Sequence, residues 1–194
     1  MTQDSKTKVW DPVVRVFHWS LVVAFTGAYL TGEEWSAGHA VAGYTVLALL
    51  GVRLVWGAVG TGTARFAGFV PAPAEAARYL RDLFRGRVGP HRGHNPAGGA
   101  MVVFLLVFLL AVTATGLMAY GAEGHGPWAG FFVGFGPYGG APLEALHARL
   151  VDATLVLVAL HITGVLVSSR LEGENLIRAM VTGRKRRAGP ADME

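Results

Sequence analysis

The sequence predicts an all-α membrane protein, a bundle of four transmembrane helices with both termini in the cytoplasm. Three observations predict it. Hydrophobic residues make up 52% of the 194 and charged residues only 15%, where an ordinary soluble domain is about 25% charged; the mean hydropathy is +0.41. Four stretches are long and apolar enough to cross a hydrocarbon core, which takes about 20 helical residues. The basic residues gather on one side of those stretches. A secreted soluble enzyme and a disordered regulator are both excluded.

The spans are expected at residues 13–30, 37–59, 98–120 and 143–169 of a single membrane domain covering 1–194. The third, with the core MVVFLLVFLLAVTATGLM, carries no ionisable group, whereas each of the others holds a histidine or an arginine. The first begins with Arg15 and His18 and has no A-x-A site after it, so it reads as a retained helix rather than a signal peptide. Between the second and third spans, residues 71–86 form an amphipathic segment. Pro71 and Pro73 open it, and Tyr79, Leu80, Leu83 and Phe84 make an apolar strip beside Arg78, Arg81 and Arg85. It suits the cytoplasmic membrane surface, with a solvated connector as the alternative. The loop GFFVGFGPYGG, before the fourth span, is apolar without a helical pattern and could dip into the interface or receive a partner. Residues 170–194 form a basic tail.

Orientation follows from charge. Lys6, Lys8 and Arg15, then Arg53, Arg65, Arg78, Arg81, Arg85, Arg87 and Arg92, then Arg170, Arg178, Arg184, Lys185, Arg186 and Arg187 share one side; of the 17 basic residues only Arg149 is left over. The opposite loops carry Glu33, Glu34 and Glu123. The positive-inside rule puts the basic side in the cytoplasm. The pI of about 9.8 is a by-product of that asymmetry, which leaves no case for nucleic-acid binding. Trp10, Trp19, Trp35, Trp56 and Trp128 fall near span ends, as an aromatic belt would.

Cysteine is absent. Disulfides, thiolate ligands, cysteine-held iron–sulfur clusters and haem attached through C-x-x-C-H are therefore excluded. Four of the seven histidines lie at membrane depth, where an ionisable group costs at least about 2.5 kcal/mol and marks a functional site by default. His18 lies in the cytoplasmic half of the first span. His39 opens the second span at the outer face. His147 enters the fourth span from outside, and His161 follows 14 residues later. Fourteen residues is close to four turns, so His147 and His161 share a helix face about 21 Å apart along the axis.

No single metal bridges that distance, but two stacked sites can. Depth pairs His39 with His147 and His18 with His161, two imidazoles on facing helices at each level. Paired imidazoles without thiolate or carboxylate match the iron of bis-histidine haem better than zinc or a di-iron centre. Without cysteine the haem is non-covalent, hence b-type, and two are expected. Gly43 and Gly164 lie on the ligand faces, and Gly27 and Gly116 are placed for close approach of a flat macrocycle or a neighbouring helix. Arg53, with Arg15 at similar depth, could meet a haem propionate or a quinone oxygen; snorkelling to headgroups is the alternative for Arg53. Asp152 could orient a ligand, carry protons or make a satisfied polar contact. His91, His94 and His125 read as solvated residues or partner contacts, and Asn95-Pro96 as the start signal of the third span. A transporter using these histidines as a proton relay is the reading without a cofactor.

The segments VWDPVVRVFHW, HAVAGYTVLALLGVRLVWG, HNPAGG, TGLMAYG, LHARLVDATLVLVALHITGVLVSS and ENLIRAMVTGRKR resemble the bacterial cytochrome b-561 family, which includes cytochrome b subunits of membrane-bound nickel–iron hydrogenases. The resemblance runs over residues 9–187 and rests on R-x-x-H-W, H-x-x-x-G-Y and two histidines 14 apart. It implies a four-helix protein of the bacterial inner membrane holding two haem b groups on His18, His39, His147 and His161. It also implies electron exchange with quinone on the cytoplasmic side and with a periplasmic redox protein, or a hydrogenase-type complex, on the other. The chain is thus expected to be an electron carrier, or a subunit of an oxidoreductase, embedded in membrane lipid. The rival is a self-sufficient quinone-linked oxidoreductase acting on superoxide or a ferric chelate at the periplasmic face; for guiding an anion there, only Arg149 is available.

Overall fold

A computed structural model describes residues 6–32, 36–60, 62–87, 94–132 and 140–186. Four long helices carry the chain: α1 (Pro12–Thr31), α2 (Ser36–Val59), α4 (Pro96–Ala122) and α6 (Gly140–Leu171). All four are long and apolar enough to cross a membrane, and each contains its expected span with one to three further residues at the ends where they differ. Large apolar side chains such as Val23, Val55, Val107 and Leu160 are exposed along them. Lipid rather than water suits such a surface.

Local chemistry sets the helix starts. The Asp11 carboxylate accepts from the backbone amides of Val13 and Val14 at 2.8 and 3.3 Å, with Pro12 as the first helical residue of α1. Asn95 does the same for α4, accepting from Gly98 N at 2.7 Å before Pro96. Side-chain acceptors satisfy the orphan amides of a first turn, and proline there gives up no bond. Between α2 and α4 run two 3₁₀ turns, Gly62–Ala64 and Phe66–Gly68, and α3 (Pro73–Phe84). In α3 Tyr79 is buried and Leu80 is exposed; burial and the charge of Glu172 push the Tyr79 hydroxyl up from its ordinary value. A short α5 (Ala129–Phe132) follows α4, leaving Trp128 and Phe131 exposed.

The expected basic tail is more structured than its composition suggests. α7 (Leu176–Thr182) is capped by the Asn175 side-chain amide oxygen, which accepts from Arg178 N at 2.7 Å, and stops at Gly183 in the left-handed region, φ 78°. β2 (Arg184–Arg186) then pairs antiparallel with β1 (Lys6–Lys8), in the register Lys6 with Arg186, Thr7 with Lys185 and Lys8 with Arg184. Three-residue strands of lysine and arginine carry no hydrophobic alternation, so this ribbon leaves no periodic trace. Its centre is tied down by Lys185, buried against Glu172 at 3.5 Å.

Contacts divide the chain into two compact units. The first takes residues 1–20, 51–103 and 159–194; the second takes 21–50 and 104–158. Each draws a portion of every long helix. Buried residues of the first include Trp10, Val14, Phe17, Arg53, Ala64 and Tyr79; those of the second include Val46, Leu50, Leu109, Val112 and Thr154. Trp10 therefore belongs to a core and not to an exposed belt, whereas Trp19 and Trp128 are exposed. Trp56 spends its indole N–H on Asp11, at 3.2 Å. Trp35, Glu33, Glu34, His91 and Arg92 lie outside the described residues, as does most of the GFFVGFGPYGG loop.

Candidate functional site

Each unit brings together one of the histidine pairs expected from depth. In the second unit, His39 of α2 faces His147 of α6 with ring centres 6.0 Å apart and planes at 85°. The His39 Nδ1 stands 2.8 Å from the carbonyl oxygen of Ala28 in α1. The His147 Nδ1 stands 2.9 Å from that of Val112 in α4. A carbonyl can only accept, so both nitrogens donate. In the neutral ring the proton is then held at Nδ1 and the lone pair is left on Nε2. The Thr115 hydroxyl, donating to Ala111 and Val112 carbonyls at 2.8 and 3.0 Å, lies 3.4 Å from the same His147 Nδ1.

Gly116 makes that approach possible. A β-carbon there would lie 2.8 Å from His147 Cε1, inside any tolerable contact, so the imidazole reaches the α4 backbone only because the position has no side chain. Gly27 and Gly43 of this unit open on clear space, with nothing within 4 Å of an added β-carbon. The Tyr44 hydroxyl is buried without a hydrogen-bond partner, close against Gly126, whose φ of 73° turns the chain after α4. His125 lies in that turn, exposed, stacked on Tyr120 at 5.1 Å and 3.7 Å from a Glu123 carboxylate oxygen. Arg149 and Asp152 are exposed.

In the first unit, His18 of α1 faces His161 of α6 with ring centres 6.4 Å apart and planes at 54°. Trp19 sets its ring edge-on to His18 at 5.1 Å. Here, among the described residues, no carbonyl meets the ring: His18 Nδ1 is buried without a hydrogen-bond partner. Gly51 and Gly164 open on clear space.

The first unit also holds a buried cation. Arg53 is 3% exposed; its Nη1 donates to the Ala64 carbonyl at 3.1 Å, and its guanidinium lies 4.6 Å from the Phe66 ring centre and 5.7 Å from that of Phe69. The ring faces stabilise the charge. Among the described residues no carboxylate stands within ion-pair distance of it. Arg15 has its donors committed elsewhere, on the carbonyls of Met180 and Val181 at the end of α7, where a cation also meets the negative end of the helix dipole.

His94 departs from its solvated expectation. It packs between Trp10, edge-on at 4.6 Å, and Phe69 at 4.5 Å, with Nδ1 buried and unpartnered. Burial lowers the imidazole to about 4, helped by the charges of Arg53, Lys185 and His161, so it is neutral at pH 7. Sequence reasoning missed this residue because its packing partners, Trp10 and Phe69, come from two separate segments far from it in the chain. It also passed over Tyr44, although the H-x-x-x-G-Y motif already contained it.

A family model described as prokaryotic cytochrome b561 matches residues 9–183. No curated protein and no solved structure matches the chain. The matched stretch takes in both histidine pairs, Arg53 and all four long helices. The chain belongs to the prokaryotic cytochrome b561 family, multi-pass haem b proteins of the bacterial inner membrane that transfer electrons.

Proposed function

We propose that the protein is a di-haem electron carrier between a periplasmic redox partner and membrane quinone, with one haem b on His39 and His147 and the other on His18 and His161. The spacing within each pair carries the reading. With a ring nitrogen about 2 Å from a metal and about 1 Å from its own ring centre, imidazoles on opposite sides of one ion stand about 6 Å apart. The pairs stand 6.0 and 6.4 Å apart. Among the described residues no three His, Asp or Glu side chains converge as a metal site, so each pair offers an ion two imidazoles and leaves its remaining ligands to another group. A porphyrin supplies four. The clear space over Gly27, Gly43, Gly51 and Gly164 also suits a flat macrocycle.

A bound haem would supply the electron-carrying chemistry of its iron; the chain would supply the imidazoles that hold it, with burial and charge. Ala28 and Val112 orient two of the four imidazoles through their carbonyls. Arg53, buried with no ion-paired carboxylate among the described residues, is suited to an acidic or carbonyl oxygen, a haem propionate or the quinone itself. Arg15 is the lesser contact, since two of its donors already serve α7. The charge asymmetry supports a cytoplasmic position for both termini. That sets His39 and His147 toward the periplasmic partner, or a hydrogenase-type complex, and His18 and His161 toward quinone reduction.

The test is the visible spectrum and haem content of the purified protein. Two dithionite-reducible haem b groups per chain are expected; none, or one, overturns the reading. For the ligand assignment, His39→Ala and His147→Ala are expected to lose the same haem and keep the other.

A further inference from the structure

We propose that the two histidine pairs are unequal before any haem arrives: His39 and His147 form a preset site that fills first, and His18 and His161 form one that is set only on filling. This rests on the di-haem reading and goes beyond it, to what distinguishes the two sites. The asymmetry lies in the second nitrogen of each ring. A ligand imidazole binds best when its other N–H is already held by an acceptor, because this fixes tautomer and ring orientation and raises ligand basicity; losing such a partner typically costs 10–100-fold in affinity.

Both rings of the second unit have that partner, at 2.8 Å on Ala28 and 2.9 Å on Val112. The two acceptors sit on α1 and α4, neither of which carries a ligand in that unit. The ligand-bearing helices α2 and α6 therefore lean on the other two, and all four helices contribute to the aim of two Nε2 atoms. Gly116 belongs to the device, since the His147 ring occupies the place of its missing β-carbon. In the first unit the His18 Nδ1 is buried and bare. Its ring is located by the edge contact with Trp19, which holds position but selects no tautomer. A buried polar nitrogen without a partner is costly in either tautomer, so the His18 ring gains by any rearrangement that pairs it, and haem uptake offers the occasion.

Nitrogen-15 NMR of histidine-labelled, haem-free protein in detergent reads the asymmetry directly. His39 and His147 are expected as hydrogen-bonded Nδ1–H tautomers and His18 without such a bond. Titration of haem into the same protein is expected to fill the His39/His147 site first, at least about tenfold more tightly, giving a first-equivalent spectrum that matches the single-haem His18→Ala variant. Gly116→Ala, which crowds His147, is expected to abolish that preference while the first-unit haem still binds; circular dichroism checks that the variant is folded. A hydrogen-bonded Nδ1–H at His18, filling in the opposite order, or equal filling overturns the proposal and leaves two haems standing. A chain that takes up no haem overturns the di-haem reading itself.

Discussion

The two units place the same pair of side chains in opposite settings. In the second, neutral partners surround the imidazoles: two backbone carbonyls, a threonine hydroxyl and a glycine that makes room. In the first, His18 Nδ1 has no hydrogen-bond partner among the described residues, and the unit is cationic and aromatic, with Arg53 on Phe66 and Phe69 and neutral His94 between Trp10 and Phe69. Carbonyl acceptors make a ligand more basic and favour oxidised iron; a buried cation favours reduced iron. If each pair holds a haem, as proposed, the difference teaches that one scaffold would set two chemically similar groups at different potentials without changing a ligand. In the proposed di-haem reading, electrons would run downhill from the second unit to the first.

The largest expected effect breaks the comparison at its base. His147→Ala is expected to remove the second-unit haem entirely and His18→Ala the first-unit haem, each leaving about half of the reduced-haem absorbance. Pyridine haemochrome content and redox titration of the two variants check this. Loss of both haems from either variant would mean that the units are not independent.

Next in size is the cation. Replacing Arg53 by Leu removes a buried positive charge from the first unit alone. The first-unit potential is expected to fall by on the order of 1 kcal/mol per electron, with the second-unit potential unmoved. Spectroelectrochemical titration separates the two. An equal fall in both would show that Arg53 acts on the whole protein rather than on one site.

A third prediction uses pH. His94 is held neutral, with its pKa lowered from 6.5 to about 4. Between those values the unfolded chain binds a proton that the folded chain refuses, so the group leaves stability untouched above pH 6.5 and subtracts from it as pH falls toward 4. The full loss is about 3 kcal/mol. Thermal unfolding in detergent from pH 7 to 4 is expected to show wild type losing more stability than His94→Phe over that window. Parallel curves would mean that His94 is protonated without penalty.

How much of this was legible in sequence depends on where each interaction runs. The four spans, the α4 start at Asn95-Pro96 and both histidine pairs were legible, because helix periodicity, capping chemistry and depth are properties of neighbouring residues. The terminal ribbon was not, since Thr7 and Lys185 meet across nearly the whole chain. Nor was the setting of His94, whose neighbours Trp10 and Phe69 belong to segments with no shared pattern. The carbonyls on His39 and His147 were invisible for a different reason. A backbone acceptor has no residue type, so Ala28 and Val112 carry no mark of the role, and Gly116 alone hinted at it.

The smallest expected effect sharpens the same point. Thr115 approaches His147 Nδ1 at 3.4 Å, while Val112 stands at 2.9 Å and takes the larger share of the proton by its shorter distance. Thr115→Val keeps the shape of the side chain and removes the hydroxyl. If the carbonyl sets the imidazole, the variant should bind its second-unit haem within about threefold of wild type, less than one ordinary hydrogen bond of about 1 kcal/mol would confer. Haem titration of the two proteins side by side decides it. A tenfold loss would move the orienting role from the backbone of α4 to a side chain on it. The second unit would then be tunable by substitution, and its preset character would rest on residue choice rather than on the helix itself.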